Sequence, residues 1–471
     1  MEKRRLGRTG HMSGAGKTYL ALDLGAESGR AIAGTFDGER LALREVHRFP
    51  NVPVRRGSGV HWDLPALFEE VKRGIAIAAD LFQGDLVSVG VDTWGVDYGL
   101  LDRDGTLIGL PFQYRDPRTA GIQDSVLDQL GKDFLYEQTG IQLMAMNTLY
   151  QLMAEPPERL AQASRLLFIP DIINYWLTGV VSTERTFAST SQLYDVCSRN
   201  WAYPLLDAVG LPYHMLGDIR DAGESLGPPL SEVAKETGAR SLDVVLPGTH
   251  DTASAVAAVP ADGESWAFLS SGTWSLLGIE TSEPVMNERA KAFELGNEVG
   301  VLGTVRPLKN ISGLWLVQQC RATWEAQGHT HSYGELTQMA EAYAPFSAII
   351  DPDNPSFTPP GDMPARIAEF CERSGQTMLI TRGGVVRTIL ESLALRYRMV
   401  LETIEGIVGG RMDTLHIVGG GGQNLLLNQF TANAVGRPVV VGPVEATAAG
   451  NVLLQMVAAG EISSLAEGRE I

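Results

Sequence analysis

Cysteine is scarce in this sequence: Cys197, Cys320 and Cys371 are the only three, far apart and odd in number. That spacing excludes a disulfide framework and a cysteine metal cluster, so buried, reduced thiols in a cytoplasmic protein are expected. Positive charge is in deficit as well: 38 Lys and Arg against 56 Asp and Glu leave a net charge of −18. Nucleic acid and anionic membranes need a basic face to displace counterions, and both are excluded as partners on that ground. No apolar run approaches the roughly 20 residues of a membrane-spanning helix. The basic residues Lys3, Arg4, Arg5 and Arg8 have no apolar stretch behind them, which is not the pattern of a signal peptide. Residues 1–18 are expected to form a mobile leader. A P-loop is also incomplete here: Gly14-Ala15-Gly16-Lys17-Thr18 has its ending, but His11 stands where the first glycine belongs. The apolar strand follows that segment instead of preceding it. Any phosphate must therefore be held by backbone N–H groups, Mg²⁺ and a few local cations.

What the chain does have is length for two or three domains and 44% hydrophobic residues for their cores. Residues 20–23 and 30–36 read as strands around Asp23-Leu24-Gly25-Ala26-Glu27-Ser28-Gly29-Arg30. Gly25, Ser28 and Gly29 leave backbone N–H groups uncovered, which makes an anion nest, and Arg30 adds charge. Asp23, at the end of its strand, is placed to reach a metal ion. Alone, this is equally an ordinary hairpin turn. An echo at residues 267–279 favours the phosphate reading: two apolar strands flank Ser271-Gly272-Thr273-Trp274-Ser275, where Thr273 offers both an N–H and a hydroxyl.

Around these turns, a helix is predicted over 63–81, with Leu67, Val71, Ile75 and Ala78 at helical spacing, and a strand over 86–91. Residues 98–101 and 107–111 are predicted to pair as a hairpin about Arg103-Asp104-Gly105. A mostly helical insertion over 120–215 is expected to build a substrate lid, with Tyr175-Trp176 in its packing. A long helix over 384–408 and a strand over 414–418 precede a glycine run at 419–422 and a further helix, a place for a flat ligand to lie against bare backbone. Its alternative is a flexible turn. The segment 445–450 is expected to be a close-packed helix between domains and no site. The two halves read as diverged copies of one α/β unit.

Asp251 follows a strand and the turn Gly248-Thr249-His250, and opens a helix of small residues. A lone Asp there is commonly an N-cap, but Thr249 or Thr252 could take that role. Phosphoryl transfer to an alcohol needs a carboxylate within reach of the attacking hydroxyl, and Asp251 is assigned that task. His250 is expected to be structural or to touch a sugar.

The chain resembles the FGGY family of carbohydrate kinases, within the actin-like ATPase superfamily, over residues 19–457. The segments that carry the resemblance are Asp92-Thr93-Trp94-Gly95-Val96-Asp97, His250-Asp251-Thr252-Ala253-Ser254-Ala255-Val256, Lys309-Asn310-Ile311-Ser312-Gly313-Leu314-Trp315 and Gly420-Gly421-Gly422-Gln423-Asn424. They are most similar to the branch that phosphorylates the 1-hydroxyl of L-rhamnulose with ATP and Mg²⁺. The resemblance implies two ribonuclease-H-like α/β domains around a cleft, residues 19–257 and 258–457, followed by a tail at 458–471. It implies that Ala26, Glu27, Ser28, Gly29, Arg30 and Thr273 contact ATP phosphates, with Gln318 and Gly420 also on the nucleotide side. Gly95, His250, Asp251, Thr252 and Asn310 would contact the sugar, Asp251 would accept the proton, and Asp23 would act on the metal through water. Glu27 departs from the small residue expected in a phosphate turn, and is expected to point away or to help bind Mg²⁺. The implied partner is a small-molecule sugar, the implied state a monomer or homodimer. An L-fuculose kinase, an actin-like ATPase without kinase activity and a sugar-sensing regulator are the rival expectations.

Overall fold

The first apolar run forms β1 (Lys17–Leu24), in which seven of eight residues are buried, as in strands covered on both faces. It returns as β2 (Ser28–Phe36), which pairs in turn with β3 (Leu41–Pro50). In the computed structural model, which describes residues 16–376 and 381–471, this meander anchors the first of two six-stranded sheets. Residues 1–15 of the expected leader lie outside the described residues. Lys17 and Thr18, expected in that leader and in the P-loop-like segment, instead open β1.

Beside β1 runs β4 (Leu86–Thr93), parallel to it with Asp23 level with Asp92. Beyond lie β5 (Ser225–Gly227) and β6 (Asp243–Val245), giving the order β5-β6-β4-β1-β2-β3 with β6 parallel to β4. Between β3 and β4, helix α1 (Leu64–Phe82) starts at Asp63, whose side chain accepts from the Ala66 N–H, and buries the predicted stripe of Leu67, Val71, Ile75 and Ala78.

The second sheet repeats this plan. Strands β7 (Trp266–Ser271) and β8 (Trp274–Ile279) form the second hairpin, and β9 (Gly296–Val299) and β10 (Val305–Ser312) extend it. With β11 (Thr414–Val418) and β12 (Val439–Val441) the order is β9-β10-β8-β7-β11-β12, with β11 parallel to β7 and β12 parallel to β11. Five strands of each sheet therefore correspond: an antiparallel three-stranded meander with two parallel strands on one side. The expected duplication of one α/β unit is present in the topology.

Each copy sends the helix after its fifth strand to the middle of the molecule. These are α2 (Asp251–Ala257) and α3 (Ala446–Ala458), which pack on one another through small side chains in a core of their own. Helix α3 also lies against the first sheet: Gln455 Nε2 donates to the Leu20 carbonyl at 3.0 Å and Asn451 Nδ2 donates to the Gly90 carbonyl at 3.1 Å. The final segment, expected as a tail, contains the short helix Leu465–Glu470, and Arg469 there donates to the carbonyls of Val256 and Ala257.

The insertion differs from expectation in two ways. Residues Tyr98–Leu101 pair with Arg165–Phe168 over four positions; the expected hairpin toward 107–111 survives at its turn end, where Leu101 bridges Leu107, the Ile108 N–H donates to the Leu100 carbonyl (2.8 Å) and the Asp102 N–H to the Thr106 carbonyl (2.9 Å). Leu166-Leu167-Phe168 offers an unbroken apolar partner, whereas Gly109 (φ +64°) and Pro111 interrupt 107–111. The insertion is also less helical than predicted, with short helices separated by two-residue strands such as Thr183–Glu184 and Tyr194–Asp195. Trp176 packs edge-on against Phe68 of α1, the packing role expected of it. Of the cysteines, Cys320 and Cys371 are buried, but Cys197 is exposed on a turn that follows Tyr194–Asp195. No helix among the described residues is long and apolar enough to cross a membrane.

Candidate active site

Both hairpin turns open onto one cleft of about 1270 Å³ between the two sheets. In the first turn the Gly25 N–H donates to the Ser28 carbonyl at 3.0 Å. Asn51, just past β3, then ties the turn back: its Nδ2 donates to the Gly25 carbonyl at 2.9 Å and its N–H to the Glu27 carbonyl at 3.0 Å. Across a trans peptide the carbonyl of one residue and the N–H of the next point oppositely. The N–H groups of Ala26 and Ser28 therefore point away from Asn51, and both residues line the cleft. Glu27 lines it with an exposed side chain. Gly29 has another reason to be glycine: a Cβ there would lie 2.2 Å from the Phe49 ring, so its bare face packs on β3 instead of serving a ligand.

The second turn is built the same way. Its Gly272 and Thr273 carbonyls accept from the Leu314 N–H (3.0 Å) and the Trp315 N–H (3.1 Å) at the start of helix α4 (Trp315–Ala326). Those bonds satisfy two of the helix's orphan donors and turn the Thr273 and Trp274 N–H groups the other way. Gln318, one turn into this helix, donates to Thr273 Oγ1 at 3.1 Å, which leaves the hydroxyl's own proton free to be donated. Gln318 Oε1 and Ser271 Oγ are buried without a hydrogen-bond partner. The glycine run forms a 3₁₀ turn at Gly420–Gln423 before the helix Leu425–Val435. A Cβ on Gly421 would lie 2.1 Å from Ser271 Oγ, whereas Gly420 has nothing within 4 Å and faces the cleft. This turn is held against β7 and is not a flexible one.

At the other end of the cleft, Asp251 is the first residue of α2; His250 occupies the N-cap position without a side-chain cap bond. Neither threonine proposed as a cap takes that role. Thr249 donates to Glu184 Oε2 at 2.8 Å, and Thr252 donates to Asp251 Oδ1 at 3.1 Å. The Asp251 side chain is 34% exposed and lines the cleft with His250 and Thr252. A Cβ on Gly95 would stand 3.3 Å from Thr190 Oγ1 and 3.4 Å from His250 Nε2, so glycine keeps that wall open. Next to it Val96 has φ +66°, a strained conformation for a β-branched residue, held by Thr148 Oγ1 donating to its carbonyl at 2.6 Å. Asn310, on β10, lines the same end, and its backbone N–H donates to Gln142 Oε1 at 2.9 Å.

Asp23 is buried between the ends, and Arg30 donates to it and to Glu445 at the start of α3. Burial lifts the Asp23 carboxyl to about 6, Arg30 holding it down and Asp251 pushing it further up. Asp92, fully buried on the neighbouring strand, is raised well above the usual carboxylate range by burial and then by Asp23. Asn451 donates to its Oδ2 at 2.6 Å while its Oδ1 has no partner. The segment 445–450, expected to carry no site residue, thus contributes Glu445 to this network, and Thr447 lines the cleft.

All the residues singled out from the sequence except Gly29 converge on this cleft. Four that matter were missed. Asn51 stands among prolines with no motif around it. Glu184 sits deep in the insertion. Glu298 and Arg306 face each other across β9 and β10, which only the strand register reveals.

Two copies of one sheet, each presenting a tied-back hairpin to a shared cleft, define an enzyme of the actin-like ATPase fold. The chain belongs to the FGGY family of carbohydrate kinases: residues 18–258 match its N-terminal domain and residues 267–459 its C-terminal domain. It is a phosphotransferase. A rhamnulokinase of Bacteroides thetaiotaomicron is 44% identical over 458 residues, covering 97% of this chain and 93% of that protein. One of Pectobacterium carotovorum is 41% identical, covering 97% and 91%. Among solved structures, gluconate kinase from Lactobacillus acidophilus superposes with a TM-score of 0.77 at 15% identity, covering 96% of this chain and 91% of that one. Plasmodium falciparum glycerol kinase with ADP superposes at 0.72 and 15%, with the same coverage. At that identity the likeness shows the fold.

Proposed function

We propose that this chain transfers the γ-phosphoryl group of ATP to the 1-hydroxyl of L-rhamnulose, giving L-rhamnulose 1-phosphate and ADP. The observation that carries the reading is the convergence of two hairpins, each with its carbonyls tied back, and Asp251 on a single cleft. Rhamnulokinases 37–44% identical over nearly the whole chain support the choice of sugar.

The N–H groups of Ala26 and Ser28 on one side, with Thr273 on the other, hold the phosphates, and Arg30 adds positive charge. Gln318 orients the Thr273 hydroxyl, and Gly420 leaves room for the nucleoside against bare backbone. Gly95, His250, Thr252 and Asn310 hold the sugar with its 1-hydroxyl toward Asp251. Asp251 accepts that proton as the oxygen bonds to the γ-phosphorus and the bond to the departing ADP oxygen breaks. Among the described residues no group of three or more His, Cys, Asp or Glu is placed to ligate a metal directly. Asp23, buried but lining the cleft level with the first turn, fits a hydrated cation reached through water instead. Mg²⁺, which keeps several of its waters, would neutralise charge on the transferring group, with Asp23 reached through water. Residues 19–257 supply the sugar end and the first hairpin, residues 258–457 the nucleotide end. The setting is the cytoplasm, in keeping with three unpaired cysteines.

The test is ATP consumption across a panel of ketoses and polyols, including L-rhamnulose and L-fuculose, with Asp251→Asn beside the wild type. Turnover is expected to be highest on L-rhamnulose, and Asp251→Asn is expected to bind ATP without turning over. Strong turnover on another sugar alone would overturn the substrate; an active Asn variant would overturn the role of Asp251.

A further inference from the structure

Behind the sugar end of the cleft, His250 packs against two charged groups that the reaction above does not use, Glu298 and Arg306. Glu298 on β9 lines the cleft but is only 5% exposed. Its Oε2 lies 3.2 Å from His250 Nδ1 and 3.3 Å from Arg306 Nη2. The Arg306 side chain is wholly buried on β10, directly opposite in register. The other ring nitrogen of His250, Nε2, faces Asp251 Oδ1 at 3.5 Å and the bare backbone of Gly95.

The proton on the imidazole is decided by this arrangement. An ionised carboxylate only accepts, and a guanidinium only donates. The two protons on Arg306 Nη2 are both spoken for by oxygens, the Val299 carbonyl at 3.0 Å and Glu298 Oε2 at 3.3 Å. His250 Nδ1 lies at the same 3.3 Å from Nη2, but the ionised carboxylate is the stronger acceptor and takes that proton. An unprotonated Nδ1 would set its lone pair against a carboxylate lone pair at 3.2 Å. A protonated Nδ1 donates to Glu298 instead. Burial alone would raise Glu298, but the hydrogen bond from His250 and the charge of Arg306 both act to lower it, and its carboxylate is placed as the acceptor between them.

We propose that Glu298 is a positioning residue: it fixes His250 as the Nδ1–H tautomer, so that its bare Nε2 accepts a hydrogen bond from a second ketose hydroxyl beside the one that donates to Asp251. The proposal rests on the sugar-kinase reading of this cleft and adds a source of sugar selectivity to it. Two acceptors side by side, one a carboxylate and one an imidazole nitrogen, select a substrate with two hydroxyl donors at matching positions. The opposite tautomer would aim an N–H at Asp251, competing with the substrate for the base, and would present a donor where the sugar also presents one.

The test has one arm without substrate and one with it. In the full-length wild type labelled with ¹⁵N-histidine, with His250 assigned by loss of its signals in His250→Gln, ¹H–¹⁵N correlations read the tautomer directly. Nδ1–H is expected. In Glu298→Gln the amide can donate to Nδ1, so the Nε2–H form is expected to appear. The KM for the ketose should then rise about tenfold, the order of one buried hydrogen bond, with the KM for ATP unchanged. Glu298→Asp, which keeps the acceptor, should keep the wild-type tautomer and a KM between the two. A wild type with a proton on Nε2, as the Nε2–H tautomer or as the doubly protonated imidazolium, overturns the proposal, and it does so even if Glu298→Gln does not fold. A raised ketose KM in Glu298→Gln with the tautomer unmoved also overturns it, since Glu298 would then act directly. If the chain turns over a ketose other than L-rhamnulose, the KM arm is run on that sugar; the substrate reading fails and the tautomer result stands on its own.

Discussion

Ser254 and Gly450 meet backbone to backbone: a Cβ on Gly450 would stand 1.8 Å from the Ser254 carbonyl oxygen. The contact joins α2 and α3, the helices that follow the fifth strand of each half, and so joins the two halves backbone to backbone. Gly450→Ala must push these helices apart, and no flexible side chain is available to yield. Overpacking of this kind costs about 1–3 kcal/mol, and more where backbone is the obstacle. A lowered melting temperature is expected, together with reduced turnover, because Asp251 begins the displaced helix. An unchanged melting temperature would show that the helices separate freely.

Arg115 links the first half to the second hairpin. Its guanidinium carbon lies 3.9 Å from the Trp315 ring centroid and 5.5 Å from that of Trp274, while Nη1 donates to the Thr358 carbonyl at 3.3 Å. Trp315 opens the helix whose N–H groups hold the turn at Thr273. A planar guanidinium stacks on indole in a way an ammonium does not, so Arg115→Lys is not conservative here. Stacking of this kind contributes about 0.5–2 kcal/mol. Both Arg115→Lys and Arg115→Ala are expected to raise the KM for ATP severalfold in steady-state assays, the alanine variant more. Equal KM values in all three proteins would remove Arg115 from the support of the hairpin.

How far the site was legible depended on whether chemistry lay in the local pattern. Both hairpins, the helix start at Asp251 and the glycine run are runs of chain whose composition states their geometry, and the two-domain duplication followed from finding the hairpin twice. The turn at 103–105 was read from the nearby segment, but the main pairing of 98–101, with 165–168 across the chain, was missed because local propensity does not show it. Gly29 was misread because a glycine in a turn and a glycine under a phenylalanine ring look alike in sequence. Glu298 and Arg306 are 8 residues apart, and only the register of β9 on β10 makes them a pair.

Asn51 supports the first hairpin by one side-chain and one main-chain bond, and these can be separated. Asn51→Ala removes the 2.9 Å bond to the Gly25 carbonyl and keeps the N–H bond to Glu27. A single such bond contributes about 0.5–1.5 kcal/mol. The KM for ATP is therefore expected to rise about two- to tenfold, with the KM for the sugar unchanged, since both bonds of Asn51 go to the first turn, at Gly25 and Glu27. Asn51→Asp, unable to donate to a carbonyl, should be at least as impaired. A rise in the sugar KM instead would place the turn at the wrong end of the reaction.

Asp97 gives the protein a pH dependence that has nothing to do with chemistry at the phosphate. It is fully buried, and burial lifts it to about 6 against the donors that hold it down. Those donors are Trp62 Nε1 (2.6 Å), Gln151 Nε2 (3.0 Å), Trp94 Nε1 (2.9 Å) and the Tyr114 N–H (3.3 Å). A carboxyl raised in the folded state binds its proton more tightly there than in the unfolded chain. Its contribution to stability is thus fully present below the unfolded value near 4 and is lost as pH rises to about 6. In Asp97→Asn an amide N–H₂ replaces one acceptor oxygen and faces either the indole and Tyr114 donors or the Gln151 N–H₂ as it stands, which costs about 1–3 kcal/mol at pH 7.5. As pH falls from 6 to 4 the wild type gains stability that the variant cannot, so the gap between them should widen by up to about 3 kcal/mol. Urea denaturation of both proteins at half-unit steps between pH 4.5 and 7.5 measures this gap. A gap that stays constant, or narrows toward low pH, would mean that Asp97 is ionised throughout and that its four donors outweigh burial.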